Sequence, residues 1–480
     1  MKKIPFLAFL LPLCAPAAPD EPRNIALQSI AETTEATNRI ALEIWRLAEL
    51  GYKETQSSAL LQKHLADAGF TVETGVAGMP TAFVASYGAG KPVIAILGEY
   101  DALPGLAQEA VPERKKPAGA DAGHGCGHNL FGPGSAQAAI AVKAWMQATG
   151  QRGTIRFYGC PAEEGGAGKA YMARAGLFDD VDAALHWHPN RQNMITWLGG
   201  TQANMSVKFR FHGKTSHAAS SPEIGRSALK GVEVLNYMTH LLREHTADTV
   251  RMHYVITRGG EAPNVVPDFA EVFYYLRDAK RDDLMELWKR VQDAARGAAL
   301  GTGTEVKWEI NHGAFEVLPN DTLAAVMHKN LVASSDITYD AGETAFAEKI
   351  AKTLAGGAPA AFDKVPAVAP LVHSSKAKLS YGSSDVGDVS WNAPTVGAYV
   401  PCWVPGTRGH TWQATASSGS AVGLKGMNVA ARMLALTAID LFTQPETLAA
   451  ARAELERRRG PNFKYTPIFG DRAPPLDYRD

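Results

Sequence analysis

The chain contains the stretch Val93-Ile94-Ala95-Ile96-Leu97-Gly98-Glu99-Tyr100-Asp101, in which an unbroken apolar run ends at two carboxylates. Such a run is typical of a strand buried on both faces of a parallel or mixed sheet. Strands predicted at 154–158 and 181–185 likewise lead into polar residues, Glu163-Glu164 and His186-Trp187-His188. Strands that alternate with helices predict an α/β fold, in which ligands bind where the strands end.

The order of predicted elements changes after this first region. With 480 residues, the chain is too long for one ordinary hydrophobic core. Between residues 203 and 314 the apolar patterns follow the order β-α-β-β-α-β, which predicts an inserted ferredoxin-like module. We therefore predict a mixed-sheet catalytic domain made of residues 19–202 and 315–480. The insert at 203–314 is then a lid or dimerisation domain.

Composition and charge exclude several classes of function. The chain is 46% hydrophobic and 20% charged, which is ordinary for a globular protein. Lys and Arg number 48 against 49 Asp and Glu, which gives a net charge of −1. Because there is no basic excess, we expect no nucleic-acid partner. Recognition of a charged ligand should be local to a pocket.

The first residues have the pattern of a secretory signal. Lys2 and Lys3 precede an apolar run at 4–13, and small residues follow. The run is too short to remain as a membrane span, and Leu13 before Cys14 does not fit a lipoprotein signal. We predict that residues 1–18 are removed and that the protein is exported, periplasmic or secreted, with no membrane attachment.

Three cysteines remain after removal of that signal, Cys126, Cys160 and Cys402. This number is too small for a disulfide framework. If Cys126 binds a metal, Cys160 and Cys402 either pair or are buried thiols. We expect buried thiols, since a domain of this size has its own core.

The loop His124-Gly125-Cys126-Gly127-His128-Asn129 brings a thiol and imidazoles together. Cys126 and His128 are two residues apart, so an extended loop turns both side chains the same way. Thiolate and imidazole are ligands of zinc and similar metals. The alternative is a buried thiol beside a capping histidine. His124 is expected near the metal without binding it, or in solvent.

Further candidate ligands follow the next strands. Of the adjacent Glu163 and Glu164, one could bind a metal while the other activates water as a general base. Taken alone, the pair also fits a solvated acidic turn. His188 is the candidate third ligand, with His186 as its competitor. His410 lies in a glycine-flanked loop, and as a lone histidine it would be unremarkable.

Taken together, these motifs resemble the co-catalytic metallo-aminoacylase and glutamate carboxypeptidase family. The resemblance is to the amidohydrolase branch, which includes hydrolases of p-aminobenzoyl-glutamate, indole-acetyl-amino acids and hippurate. Within it, the p-aminobenzoyl-glutamate hydrolases are most similar. The stretches that carry the resemblance are Leu50-Gly51-Tyr52-Lys53-Glu54, Asp101-Ala102-Leu103-Pro104, Gly125-Cys126-Gly127-His128-Asn129, Tyr158-Gly159-Cys160-Pro161-Ala162-Glu163-Glu164-Gly165-Gly166, Gly213-Lys214-Thr215-Ser216-His217-Ala218-Ala219, Pro263-Asn264-Val265-Val266-Pro267 and Ser384-Asp385-Val386-Gly387-Asp388-Val389.

This resemblance implies a site with two divalent metal ions per subunit, zinc or manganese. Cys126 would bridge the two ions. His128 and His188 would complete the coordination of one ion, and Glu164 and His410 that of the other. Thiolate and imidazole favour zinc, whereas members of the family are often associated with manganese.

The resemblance also implies roles around the metals. Glu163 would be the general base and later the proton donor to the leaving amine. Asp101 would orient one of the metal ligands. His217 would reach from the lid into the active site of a partner subunit, where it would stabilise the oxyanion. We therefore expect a homodimer formed through the lid.

Binding of the substrate's carboxylate is assigned to lid residues. Asn264 and Arg277 are the candidates, and Arg suits a carboxylate because it binds through two hydrogen bonds. Arg251 and Arg258 compete for this role.

The predicted function is hydrolysis of the amide bond of N-acyl or N-aroyl amino acids. An aroyl-glutamate is the most specific substrate hypothesis, and a dipeptidase or carboxypeptidase of the same family is the alternative. A metal-independent thiol hydrolase using Cys126 and His128 would leave Glu164, His188 and His410 without roles. A binding protein that has lost its activity would lack a ligand or the base, and the sequence lacks neither.

Overall fold

The computed structural model describes residues 21–355 and 362–479, so the predicted signal at 1–18 lies outside the described residues. The strands are β1 (Thr71–Thr74), β2 (Phe83–Ala89), β3 (Val93–Gly98), β4 (Gly153–Gly159), β5 (Ala183–Asn190), β6 (Met194–Ile195), β7 (Ala203–His212), β8 (Arg251–Arg258), β9 (Phe269–Asp278), β10 (Glu305–Ala314) and β11 (Thr395–Pro401). The α-helices are α1 (Glu21–Leu47), α2 (Thr55–Asp67), α3 (His128–Thr149), α4 (Gly168–Arg174), α5 (Ala228–Arg243), α6 (Arg281–Thr302), α7 (Asp321–Ser334), α8 (Ala341–Ala351), α9 (Val386–Ser390), α10 (Trp412–Ser418), α11 (Ala421–Thr443) and α12 (Pro445–Arg459).

A seven-stranded mixed sheet forms the centre of the larger unit, with strand order β1-β2-β4-β3-β5-β11-β6. Strands β4, β3, β5 and β11 are parallel to their neighbours in this series. Strand β2 is antiparallel to β4, and β6 is antiparallel to β11. The predicted mixed-sheet α/β fold is confirmed.

The apolar run of β3 is buried on both faces of this sheet. Ile94 and Ile96 pack in one hydrophobic cluster, with side chains from α1, α3 and α11. Val93, Ala95 and Leu97 pack in a second cluster, with side chains from α4 and α9. Because successive strand residues point to opposite faces, an unbroken apolar run is what this position requires.

Helix α11 is the one helix of the described residues that is long and apolar enough to cross a membrane. Most of it is buried inside the fold, where it packs on α1 and α3. A core helix of a large domain has this composition for the same reason as a membrane span, since it is surrounded by apolar groups.

The second sheet has the order β10-β7-β9-β8 and is antiparallel throughout. Its elements follow one another as β7-α5-β8-β9-α6-β10, so the predicted ferredoxin-like insert is confirmed. Helices α5 and α6 cover one face of the sheet, over a core that includes Phe209, Tyr274 and Trp288. The exact domain boundaries at 203 and 314 stay a prediction.

Two elements near the candidate site extend further than the sequence predicted. Strand β5 continues through His188 to Asn190, because β11 pairs with it along its length. Helix α3 begins at His128, directly after Gly127. Gly127 has a φ of 79°, and glycine adopts this left-handed conformation without steric cost.

The thiols of Cys160 and Cys402 are both free and buried, as expected. Burial raises the pKa of the Cys160 thiol to about 12. These thiols therefore pack as small apolar side chains.

Close packing between β5 and β11 gives a first prediction. A Cβ at Gly397 would lie 2.0 Å from Cε1 of the buried His186 ring. Gly397→Ala should lower the free energy of unfolding by about 1–3 kcal/mol through overpacking.

Gly301→Ala is the control, because a Cβ there meets nothing within 4 Å in α6. Because alanine has a higher helix propensity than glycine, Gly301→Ala should raise the free energy of unfolding by up to about 1 kcal/mol. Chemical denaturation measures both, and equal stability of the two variants would contradict the packing.

Candidate metal centre

The ends of three neighbouring parallel strands place the candidate residues at one edge of the large sheet. Gly98 of β3 lies beside Gly159 of β4 in the register, so both strands end at the same level. Glu99 and Asp101 follow β3, and the Glu163-Glu164 pair follows β4. The adjacent strand β5 carries His188.

Cys126 belongs to two groups of potential ligands. The donor atoms of Cys126, His128 and His188 lie within 4.8 Å of one another, and Cys126 Sγ is 3.4 Å from His188 Nε2. The donor atoms of Cys126, Glu164 and His410 form a second such group. A thiol common to two groups of ligands is placed to contact two ions at once.

His410 reaches this cluster from a distant part of the chain. Its Nε2 lies 3.2 Å from Glu164 Oε1, and its side chain is 54% exposed. Its backbone N–H donates to the carbonyl of Gly125 at 2.8 Å, so the two loops are joined. His410 has a φ of 59°, which is uncommon for a non-glycine residue. Such strain is found at functional sites, where surrounding contacts hold it.

Two other histidines of the same motifs lie apart from these groups. His124 is buried and its Nε2 lies 3.0 Å from the carbonyl oxygen of Ile44. His186 is buried and stacks on Trp197, with ring centroids 5.1 Å apart. Burial lowers the pKa of each to about 3, so both rings are neutral. Within the described residues, the pocket at the site is lined by His188 and not by His186 or His124.

The residues fit a divalent metal. His128 Nε2 and Glu164 Oε1 are buried and form no hydrogen bond of normal geometry, although each lies in an ion pair, with Glu99 Oε2 at 3.0 Å and with His410 Nε2 at 3.2 Å. Buried polar atoms normally have a partner. Thiolate, imidazole and carboxylate are the donors that zinc takes, and a mixed set of this kind also suits other divalent transition metals.

Charges near Cys126 and His128 favour their charged forms. Burial and Glu164 oppose ionisation of the Cys126 thiol, but His188 and His128 outweigh them and lower its pKa to about 7. Burial opposes protonation of His128, but Glu99, Cys126 and Asp101 raise its pKa well above the usual value. The thiolate form that binds metals is therefore accessible near neutral pH.

Glu163 and Glu164 have opposite protonation behaviour. Desolvation, together with the charges of Glu99 and Glu164, raises the pKa of Glu163 well above its usual value. Burial also opposes ionisation of Glu164, but its contact with His410 lowers the pKa below the usual value. Adjacent carboxylates with separated pKa values are suited to different roles.

Asp101 connects two of the candidate ligands. Its Oδ1 lies 2.9 Å from Nδ1 of His128, and its Oδ2 accepts a 2.9 Å hydrogen bond from the backbone N–H of Glu164. One buried carboxylate thus fixes the orientation of an imidazole and the position of a glutamate.

A buried ion cluster that the sequence did not reveal lies behind these residues. Lys169 Nζ is 2.6 Å from Glu99 Oε1 and 2.7 Å from Asp385 Oδ1, and all three side chains are buried. Glu99 Oε2 is in turn 3.0 Å from His128 Nε2. The sequence placed Glu99 at a strand end and Asp385 in a motif. Nothing in the sequence marked Lys169 as a functional residue, apart from its position shortly after Glu163-Glu164 and the glycines that follow this pair.

A cavity of about 590 Å³ opens over the cluster, between the two sheets. Glu163 lines it together with Arg277, whose Nη1 donates to Ser383 Oγ at 3.3 Å. The other cavity-lining residues are Leu103, Cys126, Glu164, Gly165, His188, Asn190, Trp197, Asn204, His253, Tyr275, His312, Gly382, Ser383, Ser384, Asp385, Tyr399, Trp403, Gly409, His410 and Arg479. Arg251 and Arg258, the competing candidates for binding the substrate's carboxylate, do not line this cavity.

His217 and Asn264 lie together in the lid, away from the cavity of the same chain. The backbone N–H of Ala218 donates to the carbonyl of Asn264 at 2.9 Å, and His217 forms a β-bridge with Val265. Neither side chain is among the described residues that line the cavity.

The chain is similar to known proteins in family, in sequence and in structure. The model of "Peptidase family M20/M25/M40" matches residues 95–435. The B subunit of the p-aminobenzoyl-glutamate hydrolase of Escherichia coli is 41% identical over 86% of this chain and 91% of its own length. The Xaa-Arg dipeptidase of Mus musculus is 28% identical over 90% of this chain and 91% of its own length.

Two solved structures share the fold at low sequence identity. An aminobenzoyl-glutamate utilization protein from Klebsiella pneumoniae superimposes with a TM-score of 0.57 at 17% identity, over 86% of this chain and 98% of its own. A Bacillus subtilis protein described as a dinuclear metal binding peptidase of family M20 gives a TM-score of 0.56 at 18% identity, over 86% and 99%.

These findings confirm the family that the motifs predicted, and with it a hydrolase of the metal-dependent amidohydrolase class. The chain belongs to peptidase family M20/M25/M40.

Proposed function

We propose that this protein hydrolyses the amide bond between an acyl or aroyl group and an amino acid, with an aroyl-glutamate such as p-aminobenzoyl-glutamate as the best substrate. The proposal rests mainly on the position of Cys126. Its thiol belongs to both groups of potential ligands, at the base of a cavity that Glu163 lines. The name of the Escherichia coli relative supports the choice of an aroyl-glutamate.

The proposal includes two divalent ions per subunit, zinc or manganese. Cys126, His128 and His188 would hold one ion, and Cys126, Glu164 and His410 the other. When bound, such ions polarise the scissile carbonyl and lower the pKa of the attacking water. Asp101 holds the Nδ1 atom of His128, which leaves Nε2, beside Glu99 Oε2, as the ring nitrogen that would bind the ion.

Glu163 moves the proton in this proposal. It takes a proton from the attacking water and gives it to the nitrogen of the leaving amine. A carboxyl group with a raised pKa holds the proton between these two steps more readily than an ordinary glutamate. Glu164 stays ionised against His410 and remains a ligand.

Lys169 keeps two buried carboxylates in place around the site. Glu99 and Asp385 both contact its ammonium group, and Glu99 also lies against His128. Lys169 is the one fully buried lysine or arginine within the described ranges. Its positive charge therefore stabilises carboxylates that would otherwise be buried without a partner.

The proposed assembly is a homodimer formed through the lid. Strand β8 is an edge strand of the lid sheet, and Val255 on it is 55% exposed. Tyr237 and Leu241 on α5 are 66% and 52% exposed. An apolar edge of this kind readily pairs with a second strand. Because two Escherichia coli relatives are named as different subunits of p-aminobenzoyl-glutamate hydrolase, pairing with a different chain is the alternative.

The base and the ligand can be distinguished by substitution of the adjacent glutamates. Glu163→Gln should keep about two divalent ions per chain and lower kcat about 100-fold or more, because it removes the general base. Glu164→Gln should lower both metal content and activity. Mass spectrometry of the metals and release of p-aminobenzoate from p-aminobenzoyl-glutamate measure the two effects. Loss of metal in Glu163→Gln, or full activity in it, would contradict the assignment.

The role of Lys169 can be tested through stability. Lys169→Met should lower the free energy of unfolding by about 3–5 kcal/mol at pH 8, because it leaves Glu99 and Asp385 without a buried counter-charge. The exposed Lys63→Met is the control and should change stability by less than about 0.5 kcal/mol.

The deficit of Lys169→Met should depend on pH. Burial raises the pKa of the Glu99 carboxyl and the charge of Lys169 opposes this rise, so removal of the lysine should raise that pKa further in the folded protein. A buried carboxyl group costs little free energy when it is protonated. The deficit in the free energy of unfolding should therefore shrink as the pH falls from 8 towards 5. A deficit that grows on acidification would contradict the pairing of Lys169 with buried, ionised carboxylates.

Mixing of two inactive variants tests the contribution of His217 across subunits. His217→Ala and Glu163→Gln should each be nearly inactive as homodimers. In a mixed dimer, the His217→Ala subunit keeps Glu163 and receives an intact histidine from its partner. Refolding equal amounts together should restore about a quarter of wild-type activity, because half of the dimers are mixed and one of their two sites is intact. No recovery, with mixed dimers present, would contradict a shared site.

A further inference from the structure

We propose that Arg479 binds a second carboxylate of the substrate, so that Arg277 and Arg479 together select amino acids with an acidic side chain. The inference rests on the proposed function and specifies its substrate class as N-acyl or N-aroyl derivatives of glutamate or aspartate. Arg479 lies far from every sequence motif of the site, in the segment 460–479, and sequence reasoning did not identify it.

Aromatic contacts hold this segment against the catalytic sheet. The ring of Phe469 stacks on Tyr171 at 4.2 Å, and Tyr478 packs edge-on against Tyr52 at 5.7 Å. Arg174 Nη1 donates to the carbonyl of Gly470 at 3.0 Å. These contacts fix the backbone before the final turn at 476–479 and within that turn, which brings Arg479 to the cavity.

The guanidinium of Arg479 has donors left for a ligand. Its Nη2 donates to the backbone carbonyl of Glu164, whereas its buried Nε has no hydrogen-bond partner. The Nε of Arg277 is likewise buried without a partner. Neither arginine forms an ion pair with a carboxylate of the described chain. Two cations without counter-ions at one cavity are costly unless a ligand supplies the negative charge.

Both arginines lie close to Tyr275. Arg277 Cζ is 5.8 Å from the centre of the Tyr275 ring. A Cβ built on Gly165 would lie 3.7 Å from both Arg479 Nη2 and the Tyr275 hydroxyl, so these two atoms border the same backbone position. Both guanidiniums therefore line the cavity near Tyr275, and in this proposal each binds one carboxylate of a glutamate substrate.

The acidic residues of the cavity do not favour a basic substrate. Asp385 is paired with Lys169, and Glu164 is paired with His410. Glu163 is the one cavity-lining carboxylate of the described chain without a cationic partner, and it is assigned to proton transfer. The side chain of an arginine substrate would thus find no free carboxylate in this cavity. The Mus musculus relative, by contrast, is named as a dipeptidase that acts on Xaa-Arg dipeptides.

A purely positional role for Arg479 is the competing explanation, since it also contacts the backbone of Glu164. The two roles differ in their dependence on the substrate. A positional role affects every substrate equally and lowers metal affinity. Carboxylate binding affects only substrates that carry the second carboxylate, and mainly through KM.

The test compares p-aminobenzoyl-glutamate with p-aminobenzoyl-glutamine on the metal-loaded enzyme. Wild type should prefer the glutamate compound about tenfold or more in kcat/KM. Arg479→Gln should lose about 10–100-fold on the glutamate compound, mostly in KM, because a hydrogen bond to a charged group is removed. It should lose less than threefold on the glutamine compound and keep its metal content. Arg479→Lys should be intermediate, since it keeps the charge without the planar fork.

Arg152→Gln is the matched control, because this exposed arginine lies next to the amino end of β4, opposite the site. It should leave both substrates unaffected. If Arg479→Gln does not fold, binding of free glutamate and glutamine to wild type replaces it as the readout. Glutamate should then bind at least about tenfold more tightly.

Equal losses on both substrates, or loss of metal in Arg479→Gln, would overturn the assignment in favour of a positional role. Equal kcat/KM of wild type for the two compounds, or equal binding of the two amino acids, would overturn the selection of acidic side chains while leaving the proposed function intact. Hydrolysis of neither compound by metal-loaded wild type would instead refute the proposed function.

Discussion

Negative charge buried at the carboxyl edge of the seven-stranded sheet has to be balanced, and the architecture of the site depends on this requirement. Glu99, Asp101, Glu164 and Asp385 meet where β3 and β4 end. Lys169 neutralises one side of this group, through Glu99 and Asp385. On the other side, His128 lies against Asp101 and His410 lies against Glu164. A divalent cation held by the ligand groups would add further positive charge at this edge.

The site is assembled from distant parts of the chain, and this assembly explains how a hydrolytic centre is enclosed. Candidate ligands come from β5, from the run after β4 and from the loop of Cys126, and the loop of His410 is tied to that last loop by a backbone hydrogen bond to Gly125. The lid sheet supplies Tyr275 and Arg277 as a wall of the cavity. The segment that ends at Arg479 supplies the remaining wall. In the proposed function, the lid and the segment 460–479 bind the charges of the substrate, and residues at the strand ends carry out the chemistry.

Much of this could be predicted because local patterns determine it. The apolar run of β3 predicted a strand buried on both faces, and the β-α-β-β-α-β order predicted the insert. Residues at strand ends and in the glycine-broken loop, such as Cys126, His128 and His188, came from spacing, and His410 came from resemblance. Lys169 and Arg479 could not be predicted, because their roles arise from tertiary contacts that carry no periodic signal. The roles of His217 and Asn264 stay predictions, since both lie outside the cavity of their own chain.

X-ray absorption spectroscopy of the metal-loaded protein tests whether Cys126 bridges two ions, because it reports the neighbours of the ions. We expect a sulfur neighbour at about 2.3 Å for zinc, from the Cys126 thiolate, and a second metal at about 3.5–4 Å. Both signals should change together in Cys126→Ser, since one sulfur contacts both ions. A spectrum with only nitrogen and oxygen neighbours, and no second metal, would contradict a thiolate-bridged pair.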